Sequence, residues 1–158
     1  MGDIMGLVYD HARVFLKKYP GGITWMRVKK HAAVVEKHLN PGEKIIYVFV
    51  GQKNDSVLDV FSTAVVCLTN KRILVGQKRL VFGYTLSSIT PDLFNDLQVY
   101  KGILFGKVTI DTIKECVIIT NLSKKSLREI ETQITHYMME EKKSYASVEA
   151  ARKTLPTE

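Results

Sequence analysis

Two cysteines, four prolines and one tryptophan in 158 residues exclude several architectures at once. Two isolated Cys make neither a disulfide framework nor a four-ligand metal site. Cys67 and Cys116 each belong to an apolar run, so both are expected as buried thiols in a reducing compartment. No uninterrupted apolar stretch approaches the ~20 residues that span a bilayer. Asp3 precedes His11, Arg13, Lys17 and Lys18 near the start, which is not the charged-then-apolar order of a signal peptide. The phosphate loop ending in GK[ST], HExxH and GxSxG are all missing. His11, His31, His38 and His136 have no Cys, Asp or Glu at ligand spacing, except Glu36 two residues from His38, which points to a different face. They read as surface or packing residues. Asp92, Asp96 and Asp111 are scattered at strand ends and turns. The expectation is a soluble, cytoplasmic non-enzyme, with no metal and no cofactor.

What is present is ordinary in amount and informative in order. Hydrophobic residues make up 46% and charged residues 25%, as in a globular protein of one domain. A chain this long buries roughly 70% of its unfolded surface, so a core forms without staples. The formal charge is +7, and residues 1–40 supply four of those charges, with seven Lys/Arg against three Asp/Glu. Such a bias favours anionic partners, although a solvated basic face is the plainer reading.

The first forty residues have helical period. Ile4, Leu7, Val8, Val14 and Phe15, with His11, fall on one stripe of a helix over 3–19 that Tyr19-Pro20-Gly21-Gly22 ends. Thr24 is an N-cap candidate for a second helix, in which Trp25, Val28, Ala32, Val35 and Leu39 form a narrow seam. The pair reads as an αα-hairpin over 1–39. Asn40-Pro41-Gly42 stops it. From Glu43 the period becomes strand-like: Ile45 to Val50, a strand over 58–68 with Leu58, Val60, Ala64, Val66 and Leu68 on one face, Ile73 to Val75, Leu80 to Tyr84, a bent strand over 92–100, a strand over 103–113 and a last one over 115–120. Ser126 and Glu129 then fit a capping box for a helix whose stripe is Leu127, Ile130, Ile134, Tyr137, Met138 and Glu141. Past Lys143 the pattern fades into a weakly ordered helix or tail over 143–158. Seven short strands without an intervening helix imply an antiparallel barrel or sandwich over 40–142, closed by that C-terminal helix.

Three pieces of the sequence resemble the bacterial pleckstrin-homology (PH) domains of the YokE-like type and, more loosely, GRAM domains. Leu39-Asn40-Pro41-Gly42-Glu43 resembles the L-x-P-G-E that opens their first strand. Val66-Cys67-Leu68-Thr69-Asn70-Lys71-Arg72-Ile73 resembles their L-T-N-K-R hairpin, and Tyr84-Thr85-Leu86-Ser87-Ser88-Ile89 the strand that follows. In the hairpin, Asn70 suits a left-handed turn residue, Thr69 can bond a nearby amide, and Lys71 and Arg72 keep their charge in water. The resemblance implies an α+β, PH-like seven-stranded antiparallel barrel capped by a helix, and a non-catalytic binding or assembly module.

Two kinds of partner follow from that reading. The first is another protein or a second copy, met through the seam of Trp25, Val28, Ala32 and Val35, a seam equally suited to packing against the chain's own barrel. The alternative is an anionic membrane surface, met weakly by a basic rim of Lys53, Lys71, Arg72, Lys78 and Arg79. The loop after the first strand, Gly51 to Ser56, holds one cation and one acid, Lys53 and Asp55, too few for phosphoinositide specificity. Nucleic acid is disfavoured, because neither a helix-turn-helix nor an aromatic stacking motif is visible.

Overall fold

Where the hydrophobic period changes, the chain changes element. The structure, a computed structural model, describes residues 7–20, 25–53, 62–79 and 81–154. Two helices, α1 (Leu7–Lys18) and α2 (Trp25–Glu36), precede seven strands. These are β1 (Ile45–Lys53), β2 (Thr63–Thr69), β3 (Ile73–Lys78), β4 (Tyr84–Ile89), β5 (Phe94–Lys101), β6 (Gly106–Thr112) and β7 (Cys116–Leu122), and α3 (Leu127–Lys153) follows. The expectations for Ile4, Thr24, Asp55, Leu58, Val60 and Leu80, and for the side chain of Trp25, lie outside the described residues.

The strands form one antiparallel sheet in the order β4-β3-β2-β1-β7-β6-β5. β1 pairs along its length with β2 but meets β7 only through Gln52 and Lys53, so the sheet folds back on itself at that corner. The fold matches the PH-like seven-stranded plan with its closing helix. β6 alternates, with Val108, Ile110 and Thr112 inside. β2 does not: every residue from Thr63 to Thr69 is buried. Both its faces are covered, one by the inner core and the other by the helical hairpin, which lies along β1, β2 and β3. Gly76 makes that contact close. A Cβ there would sit 2.5 Å from Val35 Cγ2, so α2 rests directly on the backbone of β3.

Several expectations shift by one face or one element. The buried side of α1 is Val8, Ala12, Phe15 and Leu16, whereas Leu7 and Val14 face solvent. The small Ala12 lets the helix sit down on β1, which tilts the stripe away from Val14. Cys116 is exposed, not buried, because β7 alternates and Val117 and Ile119 take the inner face. The fourth strand begins at Tyr84, where a strand over 80–84 was expected. Gly83 has φ +79°, a conformation that favours glycine, and the Arg79 N–H donates to its carbonyl at 3.1 Å, so Val81 and Phe82 form a hairpin tip. The capping box is not made. The Ser126 hydroxyl donates to the Ser123 carbonyl at 2.7 Å, and Glu129 turns towards α1, where it pairs with Lys18 and accepts from the Tyr19 hydroxyl at 2.6 Å.

The helix stripe does close the sheet as expected. Leu127, Ile130, Ile134, Tyr137 and Met138 are all buried, against β5 and β6. α3 then runs on unbroken past Lys143 to Lys153.

Candidate docking surface

The three sequence pieces that carried the family resemblance meet around one side chain, Arg72. Its Nε donates to Glu43 Oε1 at 3.0 Å and its Nη2 to Glu43 Oε2 at 3.1 Å. Nη2 also donates to the His38 carbonyl at 2.8 Å, and Nη1 to Ser88 Oγ at 3.0 Å. Glu43 further accepts from the Thr69 hydroxyl at 2.7 Å and from the Asn40 N–H at 2.9 Å. The end of α2, the approach to β1, the β2–β3 turn and the edge strand β4 are thus tied to one bidentate pair. The Glu43 side chain is fully buried and that of Arg72 is 18% exposed. Burial alone pushes the Glu43 carboxyl upward, but the bonds from Arg72, Asn40 and Thr69 outweigh it and hold the group below its ordinary value.

That geometry corrects the reading of Arg72 as a solvated turn cation. It also corrects the role given to Asn70, which does not adopt a left-handed backbone. Among the described residues Asn121 is the only non-glycine with a positive φ. Asn70 earns its place through its side-chain oxygen, which accepts the Lys44 N–H at 2.8 Å. Thr69 behaves as expected, accepting the N–H groups of Lys71 and Arg72 at 3.1 Å each.

The remaining rim residues are not brought together. Lys53 is only 8% exposed, and Arg72 is spent in the latch. Lys71 is exposed at one end of β3, and Lys78 and Arg79 at the other. Seven residues of extended chain separate Lys71 from Lys78, about 23 Å at 3.3 Å per residue. No single headgroup bridges that span. Of the two roles open to the α2 seam, the structure has the intramolecular one: Val28, Ala32 and Val35 are each fully buried in the chain's own core. α2 needs its apolar face to cover β2 and β3, so that face is not free for a partner.

His31 is a packing residue, and its placement has a measurable consequence. It is 8% exposed, and its Nδ1 accepts the Lys78 N–H at 2.8 Å, which leaves the ring neutral. Burial, reinforced by Arg27, Lys30 and Lys78, pushes its pKa down to about 4. The unfolded chain therefore binds this proton more readily than the folded one. Stability from His31 is complete above pH 6.5 and is lost as pH falls from 6.5 towards 4, by up to roughly 3 kcal/mol. Urea unfolding at pH 7 and pH 5 is expected to show this loss, and His31→Gln, which keeps an acceptor but does not titrate, is expected to reduce it.

Exposed apolar side chains instead gather at hairpin tips. In the β5–β6 turn, Ile103 is 90% exposed, Leu104 76% and Phe105 52%, with Tyr100 exposed beside them. Solvating three consecutive large apolar residues is costly, and a turn of this length is easily made from polar ones. Lysines frame the tip. Lys101 and Lys107 flank it in the strands, the latter with its ammonium 5.4 Å from the Tyr100 ring centroid. Lys124 Nζ donates to the Ile103 carbonyl at 2.6 Å. Between the tip, Pro20 and the connection from β7 to α3 lies an open cleft of about 260 Å³, bounded by Pro20, Leu104, Phe105, Asn121, Lys124 and Lys125. Asn121, with φ +58°, sits in β7 where its register with β6 shifts between Ile119 and Leu122. The β3–β4 tip is a smaller counterpart, with Val81 74% and Phe82 86% exposed next to Lys78 and Arg79. The resemblance offered no hint of the β5–β6 tip. Its signal in the sequence was the run Ile103-Leu104-Phe105 immediately after Lys101-Gly102, which period alone assigns to a strand.

Chemistry elsewhere is sparse. Among the described residues no group of three or more His, Cys, Asp or Glu could hold a metal ion. The Cys67 thiol is pushed up to about 12 by burial, far from nucleophilic at neutral pH. No described helix is long and apolar enough to cross a membrane.

Over residues 39–136 the sequence matches the family described as Bacterial PH domain. The chain belongs to the bacterial PH domain family, whose domains are typically non-catalytic binding modules. It is similar in structure to the pleckstrin homology domain from Shewanella amazonensis SB2B, at 16% identity and a TM-score of 0.42, covering 77% of this chain and 94% of that one. No curated protein matches the chain.

Proposed function

We propose that the chain is a non-catalytic module that docks peripherally on an anionic membrane surface, without phosphoinositide specificity, at the inner face of the cytoplasmic membrane. The carrying observation is the β5–β6 tip, where Ile103, Leu104 and Phe105 stand in solvent within a frame of lysines. Apolar side chains at a tip enter the acyl boundary, while ammonium groups around it meet lipid phosphates; each lysine near such a surface contributes about 1 kcal/mol. A protein partner met through α2 is the weaker reading, because the seam that would have met it is used inside the fold. Within the family, the three sequence pieces support the YokE-like branch, and the helical hairpin over 1–39 is read as an addition to the PH-like unit.

Co-sedimentation with vesicles tests the reading. Vesicles of phosphatidylcholine with phosphatidylglycerol are expected to carry the protein down at low salt and release it at high salt, because exposed charges are screened within about 10 Å at 0.1 M. Phosphatidylcholine alone is expected to leave it in the supernatant. Absence of binding to the anionic vesicles at low salt contradicts the proposal.

A further inference from the structure

The far half of α3 is left largely in solvent, apart from Lys142, whose ammonium lies 5.5 Å from the Phe94 ring centroid. Its last buried residue is Met138, and from Met139 to Thr154 no residue is buried. Fourteen residues, Glu140 to Lys153, thus project as a helix about 21 Å long. A helix of that length without a packed face is marginal in water. Yet its sequence keeps the spacing of the part that packs. Ile134 and Met138 are followed at intervals of 3 and 4 by Glu141, Tyr145, Val148 and Arg152, which share one face. Tyr145 is 61% and Val148 53% exposed.

The charges on this face are complementary to themselves when the helix is reversed. Glu140 pairs within the helix with Lys143, and Glu149 with Lys153, at 3.3 and 3.0 Å. Glu141 and Arg152, the two charges on the apolar stripe, make no ion pair among the described residues. Rotating a second arm by a half-turn about the point between Ala146 and Ser147 sets Glu141 of each against Arg152 of the other, and Tyr145 against Val148. Ser144 and Ala151, on one flank of this stripe, are small and leave that side open to close approach. A parallel pairing would instead set Glu141 against Glu141 and Arg152 against Arg152, which repel.

We infer that this arm is a self-association surface, pairing antiparallel with the same arm of a second copy of the chain. The inference stands apart from the membrane reading, since it uses neither hairpin tip. Two short helices bury less than the 1,200–2,000 Å² typical of stable interfaces, so the dimer is weak and concentration-dependent. If both hold, a dimer presents two β5–β6 tips and gains avidity on a membrane.

Sedimentation equilibrium of the full chain over a wide concentration range is the test. The expected mass rises from 17.9 kDa towards twice that value as concentration increases. Glu141→Arg and Arg152→Glu are each expected to abolish the rise, and the double variant to restore it, since the reversed charges again face their opposites. Tyr145→Ser with Val148→Ser is expected to leave a monomer. All these positions are partly or fully exposed on the arm, so circular dichroism and urea unfolding of the remainder should stay unchanged. A wild-type monomer at every concentration overturns the inference, as does a dimer indifferent to Glu141→Arg. Loss in the single variants without rescue in the double overturns the antiparallel pairing. A monomer whose binding to anionic vesicles depends on Tyr145 and Val148 assigns the arm to lipid and overturns it too.

Discussion

Arg72→Ala is expected to lower the free energy of unfolding by about 3–5 kcal/mol, the cost of leaving a buried charge without its partner. The variant strands the Glu43 carboxylate, whose side chain has no exposure of its own. It also removes the donors to the His38 carbonyl and Ser88 Oγ, loosening α2 and β4 together. The pH dependence separates this cause from a simple loss of packing. In the native protein Glu43 is held below its ordinary value, so its contribution is present above that value and is lost as pH falls through the folded pKa. Without Arg72 the carboxyl loses the largest of the interactions that lower its pKa while the burial that opposes ionisation stays, so the folded pKa rises. The difference between the two chains is then fully present at neutral pH and shrinks on acidification, as Glu43 is protonated in both. The stability gap between native and variant chains, measured by urea unfolding, should narrow between pH 7 and pH 4, whereas the loss from His31 is common to both and cancels. A gap independent of pH contradicts the latch.

Ile103→Ser, Leu104→Ser and Phe105→Ser combined are expected to weaken binding to anionic vesicles by roughly 100-fold. Full burial of each such side chain is worth about 1.5–3 kcal/mol, and a tip reaching only the acyl boundary retains a fraction of it, about 3 kcal/mol over the three. The fold should change little, since Ile103 and Leu104 face solvent and Phe105 is half exposed in the native protein. Val81→Ser with Phe82→Ser is the comparison. If that pair removes binding and the β5–β6 variant does not, the contact lies on the other hairpin.

These two sites mark what was legible in the sequence and what was not. The strands, the turn at Thr69 to Arg72 and the closing stripe from Leu127 to Met138 were readable because period and turn chemistry act locally. The failures arise where a side chain's role is set by a distant partner. Arg72 looks like a turn cation until the fold brings Glu43 to it from 29 residues away. Glu129 resembles a capping residue but bonds Lys18 and Tyr19 instead. Lys53, Lys71, Lys78 and Arg79 are close enough in sequence to invite a rim, while the extended geometry of β3 holds its two ends apart. The seam in α2 was real as a pattern. Its partner proved to be the sheet of the same chain, approached through Gly76. An apolar run such as Ile103-Leu104-Phe105 reads as strand because period cannot tell a paired segment from a tip that pairs with nothing.

The central claim, that the β5–β6 tip enters an anionic bilayer, is tested most directly by a probe placed at its apex. An environment-sensitive fluorophore on Leu104→Cys, in a Cys116→Ser background that removes the exposed native thiol, reports the surroundings of that one position. On adding vesicles that contain phosphatidylglycerol, its emission should shift to the blue and become shielded from an aqueous quencher, and both changes should reverse at high salt. A probe whose emission and quenching stay as in water while the protein sediments with the vesicles contradicts the account.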